Sequence, residues 1–169
     1  MNNFIKALNH VNKLVYEPNQ LTLKSIQEEK QNSNYGAGTF QLASCSVRFR
    51  VAKKTPNKVG QFVAFWEKDE NDNNQPYTYE KAPDLLVINT FLSNDEMGQF
   101  IFPKDILAKQ NILKTSATKG KMAIRVYPSW DTPTSKQAIK TQKWQLPYFV
   151  DLSDTNKLPI KKLLELYSQ

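Results

Sequence analysis

Three arginines stand apart in a chain whose other 20 basic residues are lysines: Arg48, Arg50 and Arg125. A guanidinium presents a planar fork of N–H donors suited to phosphate oxygens and base edges, which a lysine ammonium does not. Arg48 and Arg50 alternate with Val47, Phe49 and Val51, a period-two pattern that sends both arginines to one outer face of a half-buried strand. Arg125 takes a similar place in the stretch from Lys121 to Tyr127 and is expected to join them across a sheet. Lys53, Lys54 and Lys58 follow the first pair, and Lys119 and Lys121 precede Arg125. These lysines would extend the arginines into a basic strip that meets phosphates. Aromatic residues stand beside the cations: Tyr35, with Gly36 and Gly38 giving backbone freedom around it, then Tyr127 and Trp130. Such rings can stack on unpaired bases or anchor a loop on the core, and Trp130 fits the anchor better because tryptophan is usually largely buried. A sheet face salt-bridged to Glu67, Asp84 or helix carboxylates would show the same pattern with no ligand.

A second chemistry is hinted at where Pro83-Asp84 opens an apolar strand that is followed, after a loop, by another. That is the layout of the PD-(D/E)xK nuclease core, in which an aspartate on one strand and an acid plus lysine on the next hold a divalent metal and activate water. Here Gln99 stands where the acid would be and Ile101 where the lysine would be. A Mg²⁺ site would therefore need Asp84 with Glu67 from a neighbouring strand and Lys104 from the following helix start. Outside that alternative no metal or cofactor is expected. Cys45 and His10 are the only residues of their kinds, which removes disulfide frameworks, zinc fingers, HExxH metalloproteases and nearly every Cys-His or Ser-His-Asp arrangement. Cys45 reads as a small buried hydrophobe and His10 as a solvated residue on the polar side of a helix.

The chain that must position these groups has 169 residues, enough for one core, and a single domain over 1–169 is expected. A hydrophobic content of 40% and a charged content of 23% are ordinary for a folded chain. No apolar run reaches the length of a membrane helix or forms a signal peptide, so a cytoplasmic protein with no membrane partner is expected. The net charge of +7 directs attention to nucleic acid, although lysine-rich composition alone can produce such a value.

Phe4, Ala7, Leu8, Val11, Leu14 and Val15 recur at helical spacing between Asn3 and Tyr16, and Pro18 ends the pattern. A loosely patterned stretch, 21–33, reads as a strand and a loop. The strand with Val47–Val51 is expected to form a hairpin with 60–68, taken as a central strand carrying Trp66 in the core. Strands at 84–91 and 98–102, a proline-opened helix at 103–110 and a strand at 121–127 with Met122, Ile124 and Val126 inward follow. Helices at 135–145, with Trp144 in the core, and 160–167 finish the chain. The fold class is α/β, a mixed α+β domain with one sheet of about five strands flanked by helices.

Several blocks follow in order: Tyr35-Gly-Ala-Gly-Thr-Phe40, Val47-Arg-Phe-Arg-Val-Ala-Lys53 with Thr55-Pro56 to Trp66, Gly98-Gln-Phe-Ile-Phe-Pro-Lys104, Ile124-Arg-Val-Tyr-Pro128 to Trp130-Asp131, and Gln142-Lys-Trp144 to Tyr148-Phe149. Together they resemble the MepB family of small bacterial proteins. The resemblance implies a restriction-endonuclease-like fold, genes beside multidrug-efflux genes, and DNA association as the leading role, with no catalytic residue to carry over. The expectation is a non-catalytic DNA-binding protein, its contacts mainly to phosphates, with a homodimer possible. The alternatives are an atypical metal-dependent nuclease and a module that binds an anionic protein or small molecule.

Overall fold

The Asn3 side chain accepts a 3.0 Å hydrogen bond from the Lys6 N–H and so caps the first helix, α1 (Phe4–Val11). The computed structural model describes residues 3–168. Phe4, Ala7, Leu8 and Val11 are buried, as their spacing predicts. A single π-helical turn, Asn12–Tyr16, continues α1, and its wider winding brings the consecutive residues Val15 and Tyr16 both into the core. Pro18 then lies in a short 3₁₀ turn, Glu17–Asn19.

The strands that follow are β1 (Leu23–Glu28), β2 (Gly38–Leu42), β3 (Cys45–Val51), β4 (Lys53–Lys54), β5 (Gln61–Ala64), β6 (Glu67–Lys68), β7 (Asn74–Gln75), β8 (Leu85–Phe91) and β9 (Met97–Pro103). Next come α2 (Lys104–Lys109), β10 (Ala123–Val126), α3 (Lys136–Gln145), β11 (Phe149–Asp151) and α4 (Ile160–Tyr167). Six strands form one sheet in the order β1-β2-β3-β8-β9-β11, with β3 and β8 parallel and the other pairs antiparallel. Three more form a second sheet, β10-β5-β4.

The mixed α+β class is as expected, but the main sheet has six strands rather than five. The stretch expected as a central strand is β5, which leaves that sheet for the smaller one. Its intended place beside β3 is taken by β8, whose seven residues are apolar enough on both faces to sit between two neighbours. Two cores result. On one face of the large sheet α1 and α4 cover Val47, Phe49, Val87 and Ile101. On the other, Val63, Ile112, Leu113 and Val126 cover Leu86, Ile88, Phe100 and Phe102. Both layers were needed to bury strands with no solvent face.

Within the first core runs a chain of buried polar groups. Tyr167 Oη donates to Gln99 Oε1 at 2.8 Å, leaving Tyr16 Oη, also at 2.8 Å, to donate to Tyr167. Gln99 Nε2 donates to Asn89 Oδ1 at 2.8 Å, and Asn89 Nδ2 to the Arg50 carbonyl at 2.9 Å. Burial pushes both tyrosine hydroxyls well above their ordinary range, so they act as neutral donors.

The β9–β11 contact tolerates no extra atom at Gly98. A Cβ there would stand 2.4 Å from Phe149 Cζ and 2.9 Å from the Val150 carbonyl oxygen. Gly98→Ala is expected to cost about 1–3 kcal/mol in chemical denaturation. A neutral result would mean β11 yields freely.

Candidate nucleic-acid interface

Arg48 and Arg50 share a face, as the alternation requires, but the second layer covers it. Arg50 is fully buried and its guanidinium is committed throughout. Nη1 lies 2.8 Å from Glu29 Oε1, Nη2 donates to Asn32 Oδ1 at 3.0 Å, and Nε donates to the Ala64 carbonyl at 3.1 Å. Arg48 Nε pairs with the same Glu29 oxygen at 3.3 Å, and its Cζ sits 3.6 Å over the Tyr77 ring. Tyr77 Oη donates to the other Glu29 oxygen at 3.1 Å. Burial alone would raise the Glu29 carboxyl, yet the two guanidinium groups outweigh it and hold the group below its usual range. Placing these two arginines in a DNA-facing surface is therefore corrected: Arg50 is internal, Arg48 is largely covered, and both pair with one carboxylate that is neither Glu67 nor Asp84.

Several of the other predicted residues gather elsewhere, on the outer face of the small sheet. Lys53 and Arg125 are the direct register partners of Phe62, one from each neighbouring strand. This makes a cross-strand row of cation, ring and cation. The Tyr35 ring stands 6.2 Å from Phe62 and lies under Lys53 Nζ at 4.9 Å. Arg125 Cζ is 6.0 Å from the Phe62 ring, while its Nη2 donates to Thr55 Oγ1 at 2.9 Å and steadies the β4–β5 loop. Tyr127, two positions after Arg125, packs on Gly60, whose φ of +82° and lack of a side chain let the ring approach.

A cleft of about 580 Å³ opens between this face and α3. Lys58, Lys121, Arg125 and Lys140 reach it, with Phe62, Tyr127 and Trp144 among its walls and no carboxylate anywhere in its lining. The chain's charge is distributed to match. Residues 106–150 hold eight basic side chains against Asp131 alone, whereas the rest of the chain balances at fifteen of each sign, so this segment carries the entire +7. Asp131 is turned to structure. It accepts a hydrogen bond from the Gly60 N–H and faces Lys54, while burial pushes its carboxyl up. Lys54 itself donates to the Leu92 carbonyl at 2.7 Å and leaves the row. Lys119 is exposed in the loop before β10. Trp130 is a core anchor, its ring 5.6 Å from Phe149.

Sequence reasoning missed Phe62 and Lys140. The run around Phe62 is apolar on both faces, so nothing marked that ring as outward. Lys140 belongs to a helix read only for packing, although Lys136-Gln-Ala-Ile-Lys-Thr-Gln-Lys-Trp-Gln145 has three lysines and no acid. Met122, expected inward, is 41% exposed, and Trp66 is half-buried beneath Lys68 Nζ at 5.4 Å rather than in the core. Trp144 packs against Phe102 at 5.3 Å.

The nuclease positions are dispersed. Asp84 Oδ2 accepts from the Ser46 N–H and hydroxyl at 2.9 and 3.1 Å, tying the start of β8 to β3. Glu67 sits in the β6–β7 hairpin against Gln75, and Lys104 Nζ covers the Tyr79 ring at 4.5 Å. Gln99 and Ile101 point into the core beneath α1 and α4. Among the described residues no three His, Cys, Asp or Glu side chains gather as for a metal ion, and no helix is long and apolar enough to cross a membrane.

Fold and surface together define a mixed α+β domain with a cleft lined by four cations and three aromatic rings. The chain belongs to the MepB-like family, whose model matches residues 29–151. It is similar to the protein in the crystal structure of MepB, at 46% identity and a TM-score of 0.73, over 76% of this chain and 86% of that one. Among curated proteins none matches.

Proposed function

We propose that this chain is a non-catalytic DNA-binding protein that meets the nucleic acid on the outer face of β4, β5 and β10 and in the adjoining α3 cleft. The carrying observation is the cleft lining: four cations from three separate stretches converge there with no carboxylate to neutralise them. A structural cation in this fold looks different, as Arg50 against Glu29 illustrates. An anionic-partner module would use the same charge, but the row of rings beside it favours nucleic acid. The nuclease alternative lacks comparable support, because its three residues hold unrelated places in the fold.

The test is a salt series of binding to a labelled DNA duplex, with Mg²⁺ added and the products run on a gel. DNA should stay intact. Lys121→Ala combined with Lys140→Ala should weaken binding at low salt and flatten the salt dependence of log K by about two phosphate contacts, roughly 0.9 each. Lys161→Ala, an exposed lysine on α4 on the opposite layer, should change neither. Equal effects of the two variants would sink this placement of the interface.

A further inference from the structure

The row on the small sheet presents a ring between its two cations and a further ring beside each, and we propose that it is a stacking platform for unpaired bases, so that single-stranded or locally opened nucleic acid is the preferred ligand over closed duplex. This rests on the nucleic-acid reading above and adds to it the form of the ligand.

Register sets the geometry. Lys53, Phe62 and Arg125 are direct neighbours on three adjacent strands. With strands about 4.8 Å apart, the Cα atoms of Lys53 and Arg125 are separated by roughly 10 Å with that of Phe62 midway. Tyr35 extends the aromatic surface on the Lys53 side, and Tyr127 extends it along β10 beyond Arg125. Tyr35, Phe62 and Tyr127 are all partly exposed. The next register row along the same face is Ala64 with Ala123.

A closed duplex makes poor use of such a face. Its bases are covered above and below by their neighbours, and what it offers outward is phosphate and groove edges. The face of an aromatic ring carries the negative side of its quadrupole, so phosphate laid against Tyr35 or Phe62 gains nothing there. An unpaired base has a free π surface for those rings, while its own phosphates can reach Lys53 and Arg125 at the sides. The rings that give phosphate nothing offer the opened strand dispersion and burial of apolar surface.

The discriminating experiment compares a fluorescein-labelled mixed-sequence 15-mer single strand with the blunt duplex of the same sequence, at low salt. The single strand should bind about tenfold tighter. Phe62→Ala should lower single-strand affinity about tenfold and duplex affinity by a clearly smaller factor, while Phe62→Tyr retains binding. A thermal melt of each variant separates lost stacking from lost folding, and an oligonucleotide carrying 2-aminopurine should show fluorescence quenching with the wild type that Phe62→Ala reduces. Equal affinity for the two forms, or Phe62→Ala weakening both alike, overturns the platform while leaving DNA binding in place. Failure to bind either form overturns both readings.

Discussion

Glu29→Ala is expected to be the most damaging of these substitutions, lowering stability by about 3–5 kcal/mol because it strands the fully buried Arg50 guanidinium and removes the counter-charge of Arg48. In a chain of this length that amounts to a fall of roughly 10 °C in melting temperature. The carboxylate also holds Tyr77 Oη, so the β7–β8 connection should loosen with it. The same pair governs acid sensitivity. Glu29 titrates below its ordinary value of 4.5 in the folded chain, so its contribution is complete above that pH and disappears as pH falls through the lowered folded value. Denaturant midpoints between pH 2 and pH 7 check this: the wild type should steepen its loss in acid, and Glu29→Gln, already weakened at neutral pH, should be flatter. A loss under about 1 kcal/mol for Glu29→Ala would show that Arg50 does not depend on this charge.

Gln99→Glu restores by sequence the acidic position of a metal nuclease, and the expected result is a pH-dependent loss of stability with no gain of cleavage. The side chain is fully buried between Tyr167 Oη and Asn89 Oδ1, and Asn89 presents an oxygen to it. A protonated glutamic acid can donate to that oxygen as the amide does, but an ionised one faces it without a proton and without water. Burial should raise the folded-state pKa by about 3 units, so the variant matches the wild type below about pH 4 and falls about 3 kcal/mol short at pH 7. Linkage gives that sign, since the unfolded chain releases the proton first as pH rises. Urea titrations at pH 4 and pH 7 measure the difference, and a gel with Mg²⁺ measures cleavage. Mg²⁺-dependent nicking by this variant would reopen the catalytic reading.

Local patterning made α1, α3, α4, β8, β9 and the proline-led α2 legible in the sequence, because each buries one defined stripe or an unbroken apolar run. Pairing between distant segments was not. Nothing in Val47–Val51 announces a parallel partner at Leu85–Phe91, and the small sheet follows only once that place is filled. The arginine error has the same root. Period two establishes that Arg48 and Arg50 share a face, but whether that face meets water depends on a layer contributed by residues 63–77 and on Glu29, at the end of a weakly patterned stretch. Lys53, Lys58, Lys121, Arg125, Tyr35 and Tyr127, selected by type and spacing, come near one another because they lie by turns and strands that the small sheet draws together. Phe62 could have been found only by knowing which two strands flank β5.

Concentrating the whole net charge in residues 106–150 bears on timing as well as on place. A protein with its charge spread evenly meets a polyanion in any orientation and must roll until the right side faces in. Here the field would turn the molecule during approach, so that most encounters begin with β10 and α3 leading. Ionic strength would then act chiefly on how often productive encounters occur, while the uncharged rings of the small sheet would govern how long each one lasts.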